Sequence, residues 1–382
     1  MRILFSSNVY PTKQYSLQAY VGVLCEELTR QGHEVVVVAP QLVLSCLRHN
    51  INLVPQHYTE TIETKEGSRE IEIYRPRVYS IGASRSMRLE AWLLERAVSE
   101  TARKIGRDFD LIYCKFWSSA RNILSYAEEN SIPVFIDCGE DVIWPKTFVN
   151  DEIKKRIVKC TRGVVCVSSK NRDECEALNL AKTEDCIVLP NAVNQKDFFK
   201  MDKQEARKSL GIPEDSFIIS FCGRFNHRKG VKRLAEALKQ CKGVHSIFIG
   251  RPSEDSNYVP DCPEILFCGS LPHERIGLYL NASDVYVLPT LAEGCSNSII
   301  EAMACGLPII SSDLPFNHDV LDSTNAILID PMDVMQIKNA VCKLRDDTNL
   351  RESMSERSLT KVLKLTIENR ARSIVEFVSN RL

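Results

Sequence analysis

Residues 285–311 read Val285-Tyr286-Val287-Leu288-Pro289-Thr290-Leu291-Ala292-Glu293-Gly294-Cys295-Ser296-Asn297-Ser298-Ile299-Ile300-Glu301-Ala302-Met303-Ala304-Cys305-Gly306-Leu307-Pro308-Ile309-Ile310-Ser311. The opening run of four apolar residues is too short for a helix and suits a buried strand. A polar run containing Gly294 follows and reads as a loop. From 299 the pattern is helical, and Gly306 with Pro308 stops it. A second apolar run at 308–311 then starts a new strand. Strand, loop, helix and strand in this order predict a parallel crossover unit. Continuous apolar strands predict a sheet covered on both faces.

The same rhythm extends outward. Strands are expected at 217–222, 246–249, 265–268 and 326–329 in the second half. In the first half they are expected at 3–6, 34–39, 71–74, 111–114, 134–137, 163–167 and 187–189. Helical patterns lie between them, among others at 17–30, 87–105 and 120–129. This alternation predicts an α/β chain with two doubly wound, Rossmann-like domains and parallel sheets. The 382 residues fit two domains, at ~100–200 residues each. The boundary is expected near 190–200, where Pro190-Asn191 ends a strand and a polar stretch leads to a helix at about 202–210. The expected domains are 1–195 and 196–365.

Lys plus Arg number 49 against 50 Asp plus Glu, a net charge of −1. This balance gives no global attraction to nucleic acid. The 15 cysteines are scattered through apolar runs, with no C-x-x-C pair and no zinc spacing. They read as reduced core residues of a cytoplasmic protein. The N-terminal apolar run is too short for a signal peptide, and no apolar run of about 18 residues predicts a membrane span. Walker-A and G-x-G-x-x-G strings are absent, which disfavours P-loop ATPases and ordinary NAD enzymes. Asp108-Phe109-Asp110 precedes a strand and is expected to end a helix, so no metal site is assigned.

In open parallel sheets, ligands bind beyond the carboxyl ends of the strands. After 217–222 comes Gly223-Arg224-Phe225-Asn226-His227-Arg228-Lys229-Gly230, and then a helix. Gly223 allows close backbone approach. Arg224 can fork onto phosphate oxygens, Lys229 adds a point charge, and the helix start offers amide donors. Together they suit a diphosphate without a metal; the competing reading is a solvated basic turn. In the loop after 285–288, the amides of Gly294, Cys295, Ser296, Asn297 and Ser298 would hold phosphate. Glu293 would accept sugar hydroxyls, and Glu301 both ribose hydroxyls. For Glu301 a structural alternative exists, since Ser298-x-x-Glu301 fits a capping box in a first helical turn.

The run from Glu293-Gly294 through Glu301-Ala302-Met303-Ala304-Cys305-Gly306-Leu307-Pro308 resembles the signature of the retaining GT-B glycosyltransferases of family 4. Gly223-Arg224 with Lys229-Gly230 resembles that family's diphosphate turn. Phe267-Cys268-Gly269-Ser270-Leu271 is similar to its base-contacting strand end, which puts Leu271 among the donor contacts. Pro190-Asn191-Ala192-Val193-Asn194 resembles its inter-domain hinge, and Tyr10-Pro11 with Gly32-His33-Glu34-Val35 matches its first domain. The resemblance runs over nearly the whole chain.

It implies a GT-B fold, two domains facing a central cleft, with the last segment, about 366–382, returning to the first domain. It implies Glu293 at the donor sugar, Glu301 at the ribose, and Arg224 with Lys229 at the diphosphate. The implied reaction is retaining transfer of a hexose-type sugar from a nucleoside diphosphate, uridine first and guanosine second, with no cofactor. The implied acceptor is a glycan, lipid-linked or small-molecule hydroxyl in polysaccharide or glycolipid synthesis.

Two departures bear on the acceptor side. The family commonly has Gly-Gly near the donor phosphate, where this chain has Tyr15-Ser16-Leu17. Many members have a His after the strand at 134–137, where this chain reads Asp137-Cys138-Gly139-Glu140-Asp141. Tyr15, Lys115, Asp137, Glu140 and Asp141 are the candidate acceptor-side residues, with a polar cap on the next helix as the competing reading of the acids. An inactive nucleotide-binding scaffold and a sugar-nucleotide epimerase are the rival functions. Arg85, Arg88, Arg96, Arg103, Lys104 and Arg107 share a segment with Trp92, Leu93 and Leu94. Such a helix suits peripheral contact with an anionic membrane at its inner face, or a solvated face of an ordinary core helix.

Overall fold

Six strands of the second half form one all-parallel sheet in the computed structural model. Across it lie Ile265–Gly269, Val244–Ile249, Phe217–Cys222, Val285–Leu288, Ile309–Ser312 and Ala326–Ile329. Numbered along the chain, that order is 3-2-1-4-5-6, the Rossmann arrangement. The central strand Val285–Leu288 is buried at every position. The helix Val231–Leu238 buries Val231, Leu234, Ala235 and Leu238, the spacing of one helical face. Chain order reverses between Phe217–Cys222 and Val285–Leu288, which makes their carboxyl ends the switch point.

The structure describes residues 1–12, 19–80, 87–252 and 257–382. These divide into two units, Met1–Leu189 with Ile367–Leu382, and Pro190–Thr366. Both are Rossmann-like. Residues 190–195, which the sequence reading puts in the first domain, pack with the second. Val193 bridges Thr366 there, and Asn191 donates to the Cys295 carbonyl at 3.1 Å.

The first unit has an eight-stranded sheet. Its order is Cys186–Val188, Thr161–Cys166, Val134–Cys138, Leu111–Lys115, Arg2–Ser6, Glu34–Val38, Gly67–Tyr74 and His57–Thr64. Seven strands run parallel. The eighth, His57–Thr64, pairs antiparallel with Gly67–Tyr74 and corrects the all-parallel expectation. It went unread because only Ile62 on it is buried, so it shows no apolar run. Its charged, exposed residues suit an edge strand. The helix expected at 120–129 is two, Trp117–Asn122 and Leu124–Asn130, interrupted at Ile123.

The last helix, Ile367–Ser379, belongs to the first unit. Phe377 meets Phe135 edge-on at 6.4 Å. A Cβ on Gly163 would lie 2.8 Å from the Phe377 ring, so the absent side chain is what admits it.

Candidate active site

Two loops leave the switch point of the second unit, and short glycines let them meet. Gly230 has φ +79°, and a Cβ there would lie 2.3 Å from the Pro289 carbonyl oxygen. A Cβ on Gly250 would lie 2.0 Å from the Gly223 oxygen. Close approach therefore depends on Gly230 and Gly250; a Cβ on Gly223 itself would meet only Lys229 methylenes at ordinary distances.

The turn brings Lys229 Nζ to 2.5 Å from Glu293 Oε1. Thr290 Oγ1 donates to the same oxygen at 2.9 Å. Arg228 Nη1 lies 3.7 Å from Glu293 Oε2 and donates to the Ala292 carbonyl at 2.7 Å. Glu293, 8% exposed, is thus a buried carboxylate surrounded by donors. Arg224 is exposed and has no hydrogen bond or ion pair among the described residues.

The helix after this loop is Asn297–Ala304, two residues earlier than expected. Glu301 therefore lies a turn inside it, and the capping box does not form. Ser296 occupies the cap position without a side-chain cap bond. Ser298 is used differently: its Oγ lies 2.7 Å from the buried Tyr286 hydroxyl, which is 3.1 Å from the Cys222 carbonyl. Because the carbonyl can only accept, Tyr286 donates to it and accepts from Ser298. This hydroxyl ties the helix start to the end of strand Phe217–Cys222. Burial pushes the Cys222 thiol up to about 12, so it stays protonated.

Glu301 faces His273 of the helix His273–Asn281, with Nε2 3.4 Å from Oε1. Leu271 lies just before that helix and is half-buried. The Asn297 side chain accepts from Asn191 at 2.7 Å. The structure thus brings together Gly223, Arg224, Lys229, Glu293, Ser298 and Glu301 around one switch point. In that helix the first amides, at Asn297 and Ser298, have no intrahelical partner by geometry. Gly294, Cys295 and Ser296 are buried in the loop that leads into it.

The acceptor-side candidates belong to the first unit. Tyr15 lies outside the described residues. Asp137 is wholly buried and accepts from Lys115 at 2.9 Å and from Arg370 at 3.3 Å. Burial disfavours its charge, but Lys115 and Arg370 outweigh this and hold its carboxyl below the usual range. Asp137 thus caps no helix and offers no surface to an acceptor; Lys115, 6% exposed, is its counter-ion. Glu140 accepts from the Trp117 amide at 2.9 Å and from Gly139 at 3.1 Å. It secures the preceding helix, Trp117–Asn122, and not the following one that the competing reading assigns it. Burial pushes its carboxyl well above the usual range. Asp141 accepts from the Val142 amide at 3.0 Å, and its carbonyl takes Lys170 Nζ at 2.6 Å.

Residues 17–197 match the family described as Glycosyltransferase Family 4, and residues 202–360 match Glycosyl transferases group 1. The chain belongs to glycosyltransferase family 4. The putative teichuronic acid biosynthesis glycosyltransferase TuaC of Bacillus subtilis is 25% identical over 359 residues, 90% of this chain and 89% of that one. A UDP-Gal:alpha-D-GlcNAc-diphosphoundecaprenol alpha-1,3-galactosyltransferase of Escherichia coli is 30% identical over 50% of this chain and 52% of its own length. A sucrose-phosphate synthase from Thermosynechococcus elongatus has the same fold, with a TM-score of 0.76 at 18% identity over 99% of this chain and 98% of that one. Anabaena HepE, solved with UDP, gives 0.74 at 18% identity over all of both chains.

In this family 4 glycosyltransferase, three site residues escaped the sequence reading. His273 sits after an unremarkable Pro272, Asn191 was noted only as hinge, and Arg370 pairs with Asp137 across 233 positions. No periodicity carries such a contact. Several cations of the basic segment have acidic partners. Within the glycosyltransferase's Met87–Ile105, Arg96 pairs with Glu100 and Arg103 with Glu129, while beyond it Arg107 pairs with Glu72. Arg85 lies outside the described residues. Leu89 and Trp92 remain exposed on this helix, as does Trp144 elsewhere in the unit. Among the described residues no helix is long and apolar enough to cross a membrane.

Proposed function

We propose that this glycosyltransferase moves a hexose from a UDP-sugar to a hydroxyl of a lipid-linked or glycan acceptor in polysaccharide assembly, with retention and without a metal ion. One observation carries the reading: an exposed Arg224, the Lys229–Glu293 pair and a helix start converge at the switch point of an all-parallel sheet. The acceptor class is supported by TuaC, named for teichuronic acid biosynthesis, and by the galactosyltransferase, named for a diphosphoundecaprenol substrate. Uridine is supported by the galactosyltransferase's UDP-Gal donor, with guanosine second.

As the bond from the anomeric carbon to the donor phosphate breaks, negative charge gathers on the leaving diphosphate. Arg224, Lys229 and the first amides of Asn297–Ala304 would meet that charge where it develops. The acceptor oxygen bonds to the anomeric carbon, and its proton passes to a donor phosphate oxygen on the same face. Glu293 is a poor nucleophile, because Lys229 and Thr290 already engage Oε1. That favours the phosphate oxygen over a covalent glycosyl-enzyme. Exposed Leu89, Trp92 and Trp144 support peripheral contact with a lipid surface.

The test combines melting shifts with product analysis. UDP or GDP should raise the melting temperature, and a UDP-hexose with an undecaprenyl-diphosphate-linked sugar should give a product one hexose heavier. EDTA should leave its formation unchanged. Absence of both a shift and a product would remove the reading.

A further inference from the structure

We infer that His273 is a positioning residue that fixes the ribose-binding carboxylate of Glu301. The inference rests on the nucleotide reading of the site given above. Nε2 of His273 lies 3.4 Å from Glu301 Oε1, an ion-pair distance longer than a good hydrogen bond. The Glu301 side chain is 13% exposed and that of His273 36%. Phe198 stands edge-on to the imidazole at 5.1 Å and limits its rotation.

A ribose presents two neighbouring hydroxyls, so a carboxylate receives both only when its plane is set. Glu301 is on a helix, and its long side chain has rotamers to lose on binding. A cation at one oxygen fixes the plane in advance. His273 supplies that cation from a different helix and engages Oε1 alone, and the remaining lone pairs of both oxygens stay open to the ligand.

The charges around the imidazole agree with this role. Glu301 faces it across the helices, Asp197 from the 190–200 stretch, and Glu274 from its own first turn. Arg275, on the same helix, is directed over the Tyr279 ring at 6.0 Å. The Glu301 contact, followed by Asp197 and Glu274, outweighs burial and raises the imidazole above its ordinary value. The charged form is present below that raised value and is lost as pH rises through it. Ribose-dependent affinity therefore falls on the alkaline side.

The experiment measures calorimetric affinity of the full chain for UDP and for 2′,3′-dideoxy-UDP across pH 6–9. His273→Ala should weaken UDP binding by about fivefold to tenfold, the effect of a charged contact partly open to water. It should leave the dideoxy nucleotide unaffected. His273→Gln, which keeps a donor without a charge, should restore most of the loss and abolish the alkaline fall. Equal weakening of both nucleotides, or wild-type affinity for both, overturns the inference. If His273→Ala does not fold, His273→Gln carries the test through its pH profile, and an unchanged alkaline fall overturns the inference. Glu301→Gln separates the two levels: UDP binding at wild-type strength, or no binding of UDP or GDP by the wild type, overturns the site reading itself.

Discussion

Lys229 Nζ and Glu293 Oε1 lie 2.5 Å apart, joining the two loops that leave the switch point. The pair is mostly shielded, at 13% and 11% side-chain exposure. Each partner therefore depends on the other for charge balance. Glu293→Ala is expected to lower transfer by ~10²–10³, the cost typical of a lost transition-state contact. It should also lower stability by about 1–3 kcal/mol, because the largely shielded Lys229 loses its partner. Adding Lys229→Met should recover stability but not turnover. Wild-type turnover in the single variant would refute the assignment.

Arg224 gives the opposite pattern. With no partner in the folded chain among the described residues, Arg224→Ala should leave the melting temperature unchanged within error. Affinity for UDP should fall about tenfold or more, as expected for a charge-assisted bond to phosphate. Unchanged affinity by calorimetry would reject the role.

Tyr286→Phe removes only an oxygen. The Cys222 carbonyl and Ser298 then lose a shared partner in a buried place. The expected cost is about 1–2 kcal/mol in urea unfolding. The helix start would no longer be fixed to the cation loop, so turnover should fall with little change in the product.

Asp137 makes a prediction about acid. Its folded carboxyl is held below the usual range, so its contribution is complete above the unfolded value, near pH 4, and is lost as pH falls through the folded value. Asp137→Asn should destabilise the protein at pH 7 by about 3 kcal/mol, because Lys115 and Arg370 lose their counter-charge. Its stability should also vary less between pH 5 and pH 3 than that of the wild type. A parallel acid profile would assign the acid sensitivity to other groups.

Trp92→Ala combined with Trp144→Ala should reduce pelleting with phosphatidylglycerol vesicles by about tenfold per tryptophan inserted. With Arg96 and Arg103 already paired, about 1 M salt should weaken binding only modestly. Binding abolished by salt would point instead to Arg88 and Lys104. No vesicle binding by the wild type would remove the membrane contact.

Both Rossmann-like folds were legible because fully buried strands such as Val285–Leu288 announce themselves as apolar runs. The loops after 222 and 288 followed from topology alone. The edge strand His57–Thr64 was not legible, since a strand that buries one side chain has no periodic signal. The start of Asn297–Ala304 lies two residues before the expected 299 because the polar run Ser296–Ser298 reads as loop although its last two residues are helical, and Ser298 serves Tyr286, not a cap. The loop-to-loop approach at Gly230 was not legible either. Which glycine is indispensable depends on what faces it, and Pro289 faces Gly230.

The docking of Ile367–Ser379 on the first unit has a consequence for biosynthesis. Until that helix leaves the ribosome, Asp137 has Lys115 but lacks Arg370, and the space above Gly163 lacks Phe377. The earliest-made sheet is therefore finished last. A nascent chain must hold its first half partly assembled while the intervening unit is translated, and a chain broken off before residue 367 leaves that half a target for proteases.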